Sequence, residues 1–236
     1  MRKRVLFRDL GKLPYKEAWD YQESLLAESV ERKLARRNGS SSSPPNNYLL
    51  FVEHPHVYTL GKSGDMSNLL LDAGGLEEHD ATFYKTNRGG DITYHGPGQL
   101  VGYPILDLDQ FNPDINVYLR NIEEVIILTL ADFGIRGERF PKHTGVWVDP
   151  GTPNERKICA IGVKTARWIT MHGFALNVNT QLNYFDHIIP CGLQKGVASM
   201  HLELGEELDI SEVAGRVRLH FSNVFQADIL GFAEND

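Results

Sequence analysis

Between residues 83 and 105, three short apolar runs follow one another with only glycine-bearing turns between them: Phe83–Thr86, Asp91–Tyr94 and Leu100–Ile105. Connections this short favour antiparallel neighbours, because a parallel pair needs a crossover of a dozen or more residues. Further strands are predicted at Val5–Phe7, Tyr48–Val52, His56–Leu60, Gly145–Val148, Lys157–Val163 and Met171–Val178. Helices are predicted over residues 14–37, with Ala18, Tyr21, Leu25, Leu26, Val30 and Leu34 at helical spacing, and over 114–133, with Ile115, Leu119, Ile122, Ile126 and Leu130 on one face. A last helix is expected over Ser211–Phe225, capped by Ser211. Helices and strands interleave, yet most neighbouring strands are joined by short turns. The expected fold class is therefore α/β of the α+β type: a mixed, largely antiparallel sheet flanked by helices. A doubly wound dinucleotide fold is disfavoured, since Gly96–Gly102 has neither the glycine spacing nor the following helix of such a turn.

A chain of 236 residues suits a single domain spanning 1–236, and 42% hydrophobic residues can build a sizeable core. The net charge of -7 argues against non-specific nucleic-acid binding, because no global excess of cations releases phosphate counterions. Two cysteines, Cys159 and Cys191, are too few for a secreted disulfide scaffold and point to a reducing compartment, so a cytoplasmic location is expected. The basic start, Met1–Arg8, carries an apolar run too short for a signal peptide, and no stretch is long enough for a membrane span. Glu53-His54-Pro55-His56 contains metal-ligand types, but no second cluster has matching spacing, so no metal is expected.

The chemistry concentrates in Arg88-Gly89-Gly90-Asp91-Ile92-Thr93-Tyr94-His95-Gly96-Pro97-Gly98-Gln99-Leu100. Glycines on both sides of a short strand let backbone approach a ligand, and Arg88, Tyr94, His95 and Gln99 supply polar groups. Either cysteine is a possible nucleophile. Cys159 lies in an apolar strand and by alternation shares a face with Lys157, Ile161 and Val163, whereas Cys191 sits in a turn between Pro190 and Gly192. A thiolate needs a nearby cation, since a free cysteine is mostly protonated at neutral pH. The residues alone leave Lys157 and Lys195 open for that role. His172 is read as an ordering residue at a strand start.

The segment Arg88–Leu108, RGGDITYHGPGQLVGYPILDL, resembles the signature of the lipoyl(octanoyl) transferase family. Lys157–Gly162, His172–Asn177 and Pro190-Cys191-Gly192 match in order, and the resemblance covers roughly residues 45–205. It implies a catalytic domain on the fold shared by biotin ligases and lipoate ligases. It also implies transfer of octanoyl from acyl carrier protein to a lysine of lipoyl domains, in 2-oxoacid dehydrogenase complexes and the glycine cleavage H protein, with no cofactor. Under it, Cys191 is the acyl-thioester nucleophile, and Lys157 lowers its pKa and accepts a proton. The substrate-binding set is Arg88, Gly89, Gly90, Asp91, Ile92, Thr93, Tyr94 and His95 with Ala160, Ile161, Gly162, Gly173, Phe174 and Ala175. His95 then counts as pocket lining.

Leucine at Gly162 or Gly173 is expected to shorten the accepted chain. The family's carrier protein is acidic, as is this chain, so docking must use a local basic patch, expected at Arg136, Arg139, Lys142 and His143, with Arg32–Arg37 as second choice. Departures from the family pattern are the long loop Pro150–Glu155, Ala198 where threonine is common, and the Ser-rich residues 39–43. Two alternatives remain: an ATP-dependent lipoate or biotin ligase, revealed by ATP consumption with free octanoate, and a non-catalytic acyl-binding module, revealed by the absence of a covalent adduct.

Overall fold

The computed structural model describes residues 2–141, 143–189 and 196–232. Lys142, Pro190, Cys191 and Lys195 therefore lie outside the described residues. The elements run β1 (Lys3–Lys12), α1 (Tyr15–Arg37), β2 (Tyr48–Glu53), β3 (Val57–Leu60), α2 (Ala73–Glu78), β4 (Thr82–Lys85), β5 (Ile92–His95) and β6 (Gln99–Ile105). They continue with α3 (Ile115–Asp132), β7 (Glu138–Phe140), β8 (His143–Val148), β9 (Arg156–Ala166), β10 (Ile169–Asn177), β11 (Gly196–Val197), α4 (Met200–Leu204), α5 (Ile210–Val224) and β12 (Ala227–Gly231).

The main sheet has the order β12-β1-β2-β6-β10-β9-β8-β7, with β11 added on β9. β1 runs parallel to both β12 and β2, β11 runs parallel to β9, and the remaining pairs are antiparallel. Alternation divides its two faces. In β2, Leu49 and Phe51 join the core under α3 and α5, while Tyr48, Leu50 and Val52 pack towards α1. The helices are placed by their apolar stripes: Ile122, Val125, Ile126 and Leu130 of α3 meet Val213, Val217 and Phe221 of α5, and Ala18, Leu25 and Leu26 of α1 cover the opposite face. The last helix is capped by the Asp209 carboxylate, which accepts the Ser211 backbone N–H at 2.8 Å, and not by Ser211 as the sequence suggested.

A second, three-stranded sheet has the order β4-β3-β5. The consecutive runs β4 and β5 do not pair with each other; they flank β3, one parallel and one antiparallel. This sheet carries its own cluster of Tyr58, Leu60, Ile92, Tyr94 and Ile188. The link from β4 to β5 reaches the main sheet, where the Gly89 N–H donates to Val163 O of β9 at 2.8 Å. The space between the two sheets holds the site. Among the described residues no helix is long and apolar enough to cross a membrane.

Candidate active site

A cavity of about 500 Å³ opens between the small sheet and strands β9 and β10. It is lined by Arg88, Gly89, Gly90, Asp91, Ile92, Thr93 and His95, by Lys157, Ala160, Ile161 and Gly162, and by Gly173, Phe174 and Ala175. Sequence segments nearly 90 positions apart (about 87 from Arg88 to Ala175) thus share one surface, because β9 and β10 pair in register, Gly162 opposite Gly173, and the Arg88–Asp91 link lies across them.

Tyr94 is the exception within the described set. Thr93 and His95 face the cavity, so period-two alternation sends the Tyr94 ring to the other side of β5. There its hydroxyl meets His56 Nδ1 at 2.7 Å and its ring stacks on Tyr184 at 5.0 Å. Tyr94 is a core residue of the small sheet, not a cavity wall.

Arg88 is buried, and its guanidinium donates to Thr59 O at 2.6 Å and Thr59 Oγ1 at 2.9 Å. Gln99 Nε2 donates to Asn177 Oδ1 at 2.8 Å, which leaves Gln99 Oε1 to accept from His95 Nδ1–H at 2.8 Å. Asn87 Nδ2 likewise donates to Glu23 Oε1, so its Oδ1 accepts from His172 Nε2–H at 2.8 Å. Both imidazoles are held in one tautomer and kept neutral: burial, reinforced by the Arg88 charge and neighbouring groups, pushes each pKa down to about 3. His172 adopts φ of 60° and is bound through its N–H to Gln22 Oε1. The apparent metal run is dispersed: His54 bonds Leu13 O and Tyr103 Oη, His56 bonds Tyr94, and Glu53 pairs with Lys12.

On the opposite wall, Lys157 extends along β8, its Nζ 4.7 Å from the centre of the Trp147 ring. The expectation that Cys159 shares its face is corrected. Val146 pairs with Cys159 and the next residue, Trp147, pairs with Lys157, so Ile158 is an extra residue in a β-bulge. Ile158 and Cys159 both enter the core under α3, while Lys157 faces the cavity. Burial pushes the Cys159 thiol far above the ordinary thiol range, against the opposing pull of Lys157. Cys191, the other candidate, is outside the described residues; Gly196 and Val197, which follow that segment, line the cavity and pair with Arg156 and Lys157.

Two further expectations change. A Cβ at Gly173 would lie 2.1 Å from Gly102 O, so leucine there attacks the β6–β10 pairing and does not simply fill the cavity; at Gly162 the nearest atom is Gly89 O at 3.0 Å. The basic group near β7 is neutralised: Arg139 pairs with Glu123 and Glu124, and Arg136 with Glu138. Lys142 lies outside the described residues. In the second-choice group, Lys33 is held by Asp107 and Asp109 and Arg32 by Glu28. Tyr15, Tyr103, Thr144, Trp147 and Asn177 also line the cavity and were not singled out from sequence. Tyr103 and Asn177 lie inside the matched segments Arg88–Leu108 and His172–Asn177, and Trp147 carried a signal as an aromatic in the strand next to that of Lys157.

Residues 14–222 match the lipoyl protein ligase A/B catalytic domain family. The chain is 58% identical to an octanoyltransferase of Christiangramia forsetii, covering 97% of this chain and 99% of that protein. It is 56% identical to an octanoyltransferase of Flavobacterium johnsoniae, covering 98% and 100%. Its fold is similar to that of a bipartite lipoate protein ligase from Thermoplasma acidophilum, with TM-score 0.71 and 17% identity over 99% of this chain and 88% of that one. It is also similar to lipoate-protein ligase A bound with ATP, with TM-score 0.70, 17% identity, and 99% and 90% coverage.

Proposed function

The chain belongs to the lipoyl protein ligase A/B catalytic domain family, and on that premise we propose that it is an acyltransferase moving octanoyl from acyl carrier protein to a lipoyl-domain lysine through a thioester on Cys191. The observation that carries this reading is the convergence of Lys157 with segments 88–93, 160–162 and 173–175 on one largely apolar cavity, in a chain 58% identical to an octanoyltransferase. An acyl chain in that cavity gains about 0.8 kcal/mol for each methylene taken from water. The solved ligases share the fold at 17% identity, which does not carry ATP chemistry to this chain.

In the first step the Cys191 thiolate attacks the donor thioester carbonyl. The C–S bond to the carrier breaks, the carrier sulfur leaves as a thiol by taking the proton of Lys157, and an enzyme thioester forms beside a neutral Lys157. The Lys157 ammonium stabilises the attacking thiolate. In the second step an acceptor lysine amine attacks that thioester, the Cys191 thiolate departs, and the amide forms. The proton lost by the amine passes to neutral Lys157, directly or through water. His95 and His172 are poor candidates for this proton, since each is held neutral and already hydrogen-bonded. No cofactor enters, because the donor arrives already activated. Thiol chemistry of this kind suits a reducing compartment such as the cytoplasm.

The test is intact-mass measurement after mixing with octanoyl-carrier protein, followed by addition of a lipoyl domain. An octanoyl adduct is expected on the parent and on Cys159→Ser, none on Cys191→Ser, and the adduct should discharge to the lipoyl domain. An adduct on folded Cys191→Ser, or lipoyl-domain modification only with ATP and free octanoate, would sink the thioester mechanism.

A further inference from the structure

We propose that Trp147 is a positioning residue for Lys157: the indole face holds the ammonium at the cavity and biases this lysine towards its charged form. The inference rests on the acyl-transfer reading above. Trp147 and Lys157 are cross-strand partners at the β8–β9 bulge, and Nζ sits 4.7 Å from the ring centre, inside the ~6 Å over which a ring quadrupole attracts a cation. The ring is itself fixed. Phe140 of β7 meets it edge-on at 5.3 Å and 87°, His143 packs at 6.0 Å, and the side chain is almost wholly buried. The lysine stem is seated as well. It crosses Gly145, where a Cβ would come 3.6 Å from Lys157 Cε. Gly145 is pinned by its N–H to Glu123 Oε1 at 3.1 Å, and that fully buried carboxylate is paired with Arg120 and Arg139. A line of fixed contacts therefore runs from α3 through β8 to the ammonium.

A ring face attracts an ammonium and has little hold on a neutral amine. Loss of the Lys157 proton forfeits the contact, so the ring favours the state needed beside a thiolate and delays the state needed to accept a proton. Trp147 thereby sets the pH at which the lysine changes roles. Among the described residues, the other charged or titratable groups on the elements around Lys157 include His143 on β8, Cys159 on β9, Glu123 with Arg120 and Arg139 beneath β8, Arg156 with Asp149 and Glu203 beside it, and Lys164 further along β9, paired with Glu23. All of them remain when Trp147 is replaced.

The experiment compares Trp147→Phe and Trp147→Leu with the parent, using single-turnover transfer from octanoyl-carrier protein to a lipoyl domain across about pH 6 to 9. Both variants lose the indole N–H and keep apolar bulk, but only phenylalanine keeps an aromatic face. We expect the Lys157-dependent limb of Trp147→Leu to move to lower pH by roughly three- to tenfold in proton concentration, and that of Trp147→Phe to stay within about twofold of the parent. The displacement is read within each variant, so a uniform loss of active protein does not imitate it. An equal displacement in both variants, or none in Trp147→Leu, overturns the proposal. Lys157→Ala in the same assay separates the two levels. If it transfers at the parental rate the acyl-transfer role of Lys157 falls; if it is inactive while Trp147→Leu keeps the parental profile, only the Trp147 inference falls.

Discussion

The two walls of the cavity use similar residue types in opposite electrostatic states. Beside α1, Arg88 is committed to Thr59, and its charge helps keep His95 and His172 deprotonated in a buried setting. Along β8 and β9, Lys157 stands over an aromatic face. A histidine is the usual choice for proton transfer near neutral pH, yet burial next to a fixed cation removes that capacity here. In the proposed mechanism the proton therefore passes to Lys157, a group ordinarily too basic for the task. The neighbours of a group decide whether it is scaffold or reagent, and the walls differ in their neighbours.

Substitution on the scaffold wall should have the largest effect. Gly173→Ala puts a Cβ 2.1 Å from Gly102 O, a backbone atom of the paired strand. We expect a loss above about 4 kcal/mol, beyond ordinary overpacking, and no soluble folded protein. Ala160→Leu, on the β9 side of the cavity, should fold and narrow it, lowering octanoyl transfer relative to butyryl transfer by roughly tenfold, in the range a few methylenes command. Thermal unfolding and chain-length profiles check both. A stable Gly173→Ala protein would show that this wall is not rigid.

On the reagent wall the expected loss is chemical. Lys157→Ala should slow both half-reactions, with a combined loss of about 10²- to 10⁴-fold. Lys157→Arg keeps the charge but accepts no proton near neutral pH. It should acylate at a measurable rate and transfer to a lipoyl domain slowly, which single-turnover measurement of each step resolves. Normal transfer by Lys157→Arg would remove the proton-acceptor role. Acylation by Lys157→Ala but not by Lys157→Arg would remove the charge argument.

Much of the cavity was legible in sequence because its lining residues sit in short motifs on strands, where neighbours along the chain share one local environment. The mixed, largely antiparallel sheet and the flanking helices were legible from short turns and helical spacing. What was not legible depends on partners distant in sequence. β1 extends over Lys3–Lys12 because β12 and β2 hold its backbone on both sides, although only Val5–Phe7 looks like a strand. Its partner β12 and the short β7 have no pattern of their own. The bulge that parts Cys159 from Lys157 is a property of pairing with β8. The charge expected at Arg139 is offset by Glu123 and Glu124, one helical turn of another element. Alternation could have excluded Tyr94 from the cavity, had Thr93 and His95 been taken as the inward pair.

The smallest predicted effect tests whether the scaffold wall is as neutral as its hydrogen bonds require. His95 and His172 have pKa values lowered by burial to about 3, and His54, beneath α1, to about 4. In the unfolded chain each titrates near 6.5. As pH falls through about 6.5 the unfolded state takes up protons that the folded state refuses, so the unfolded state binds more protons and stability drops with falling pH. The contribution is fully present above about pH 6.5 and is lost progressively towards the folded values. Between pH 7 and pH 5 this amounts to about 2 kcal/mol for each of these histidines. Denaturant unfolding at the two pH values measures it, and His172→Asn should reduce the pH-dependent loss by one such share while leaving the activity limb assigned to Lys157 where it was. If an activity limb near pH 6.5 vanishes in His172→Asn, this imidazole titrates in the folded enzyme, and the electrostatic contrast between the two walls is lost.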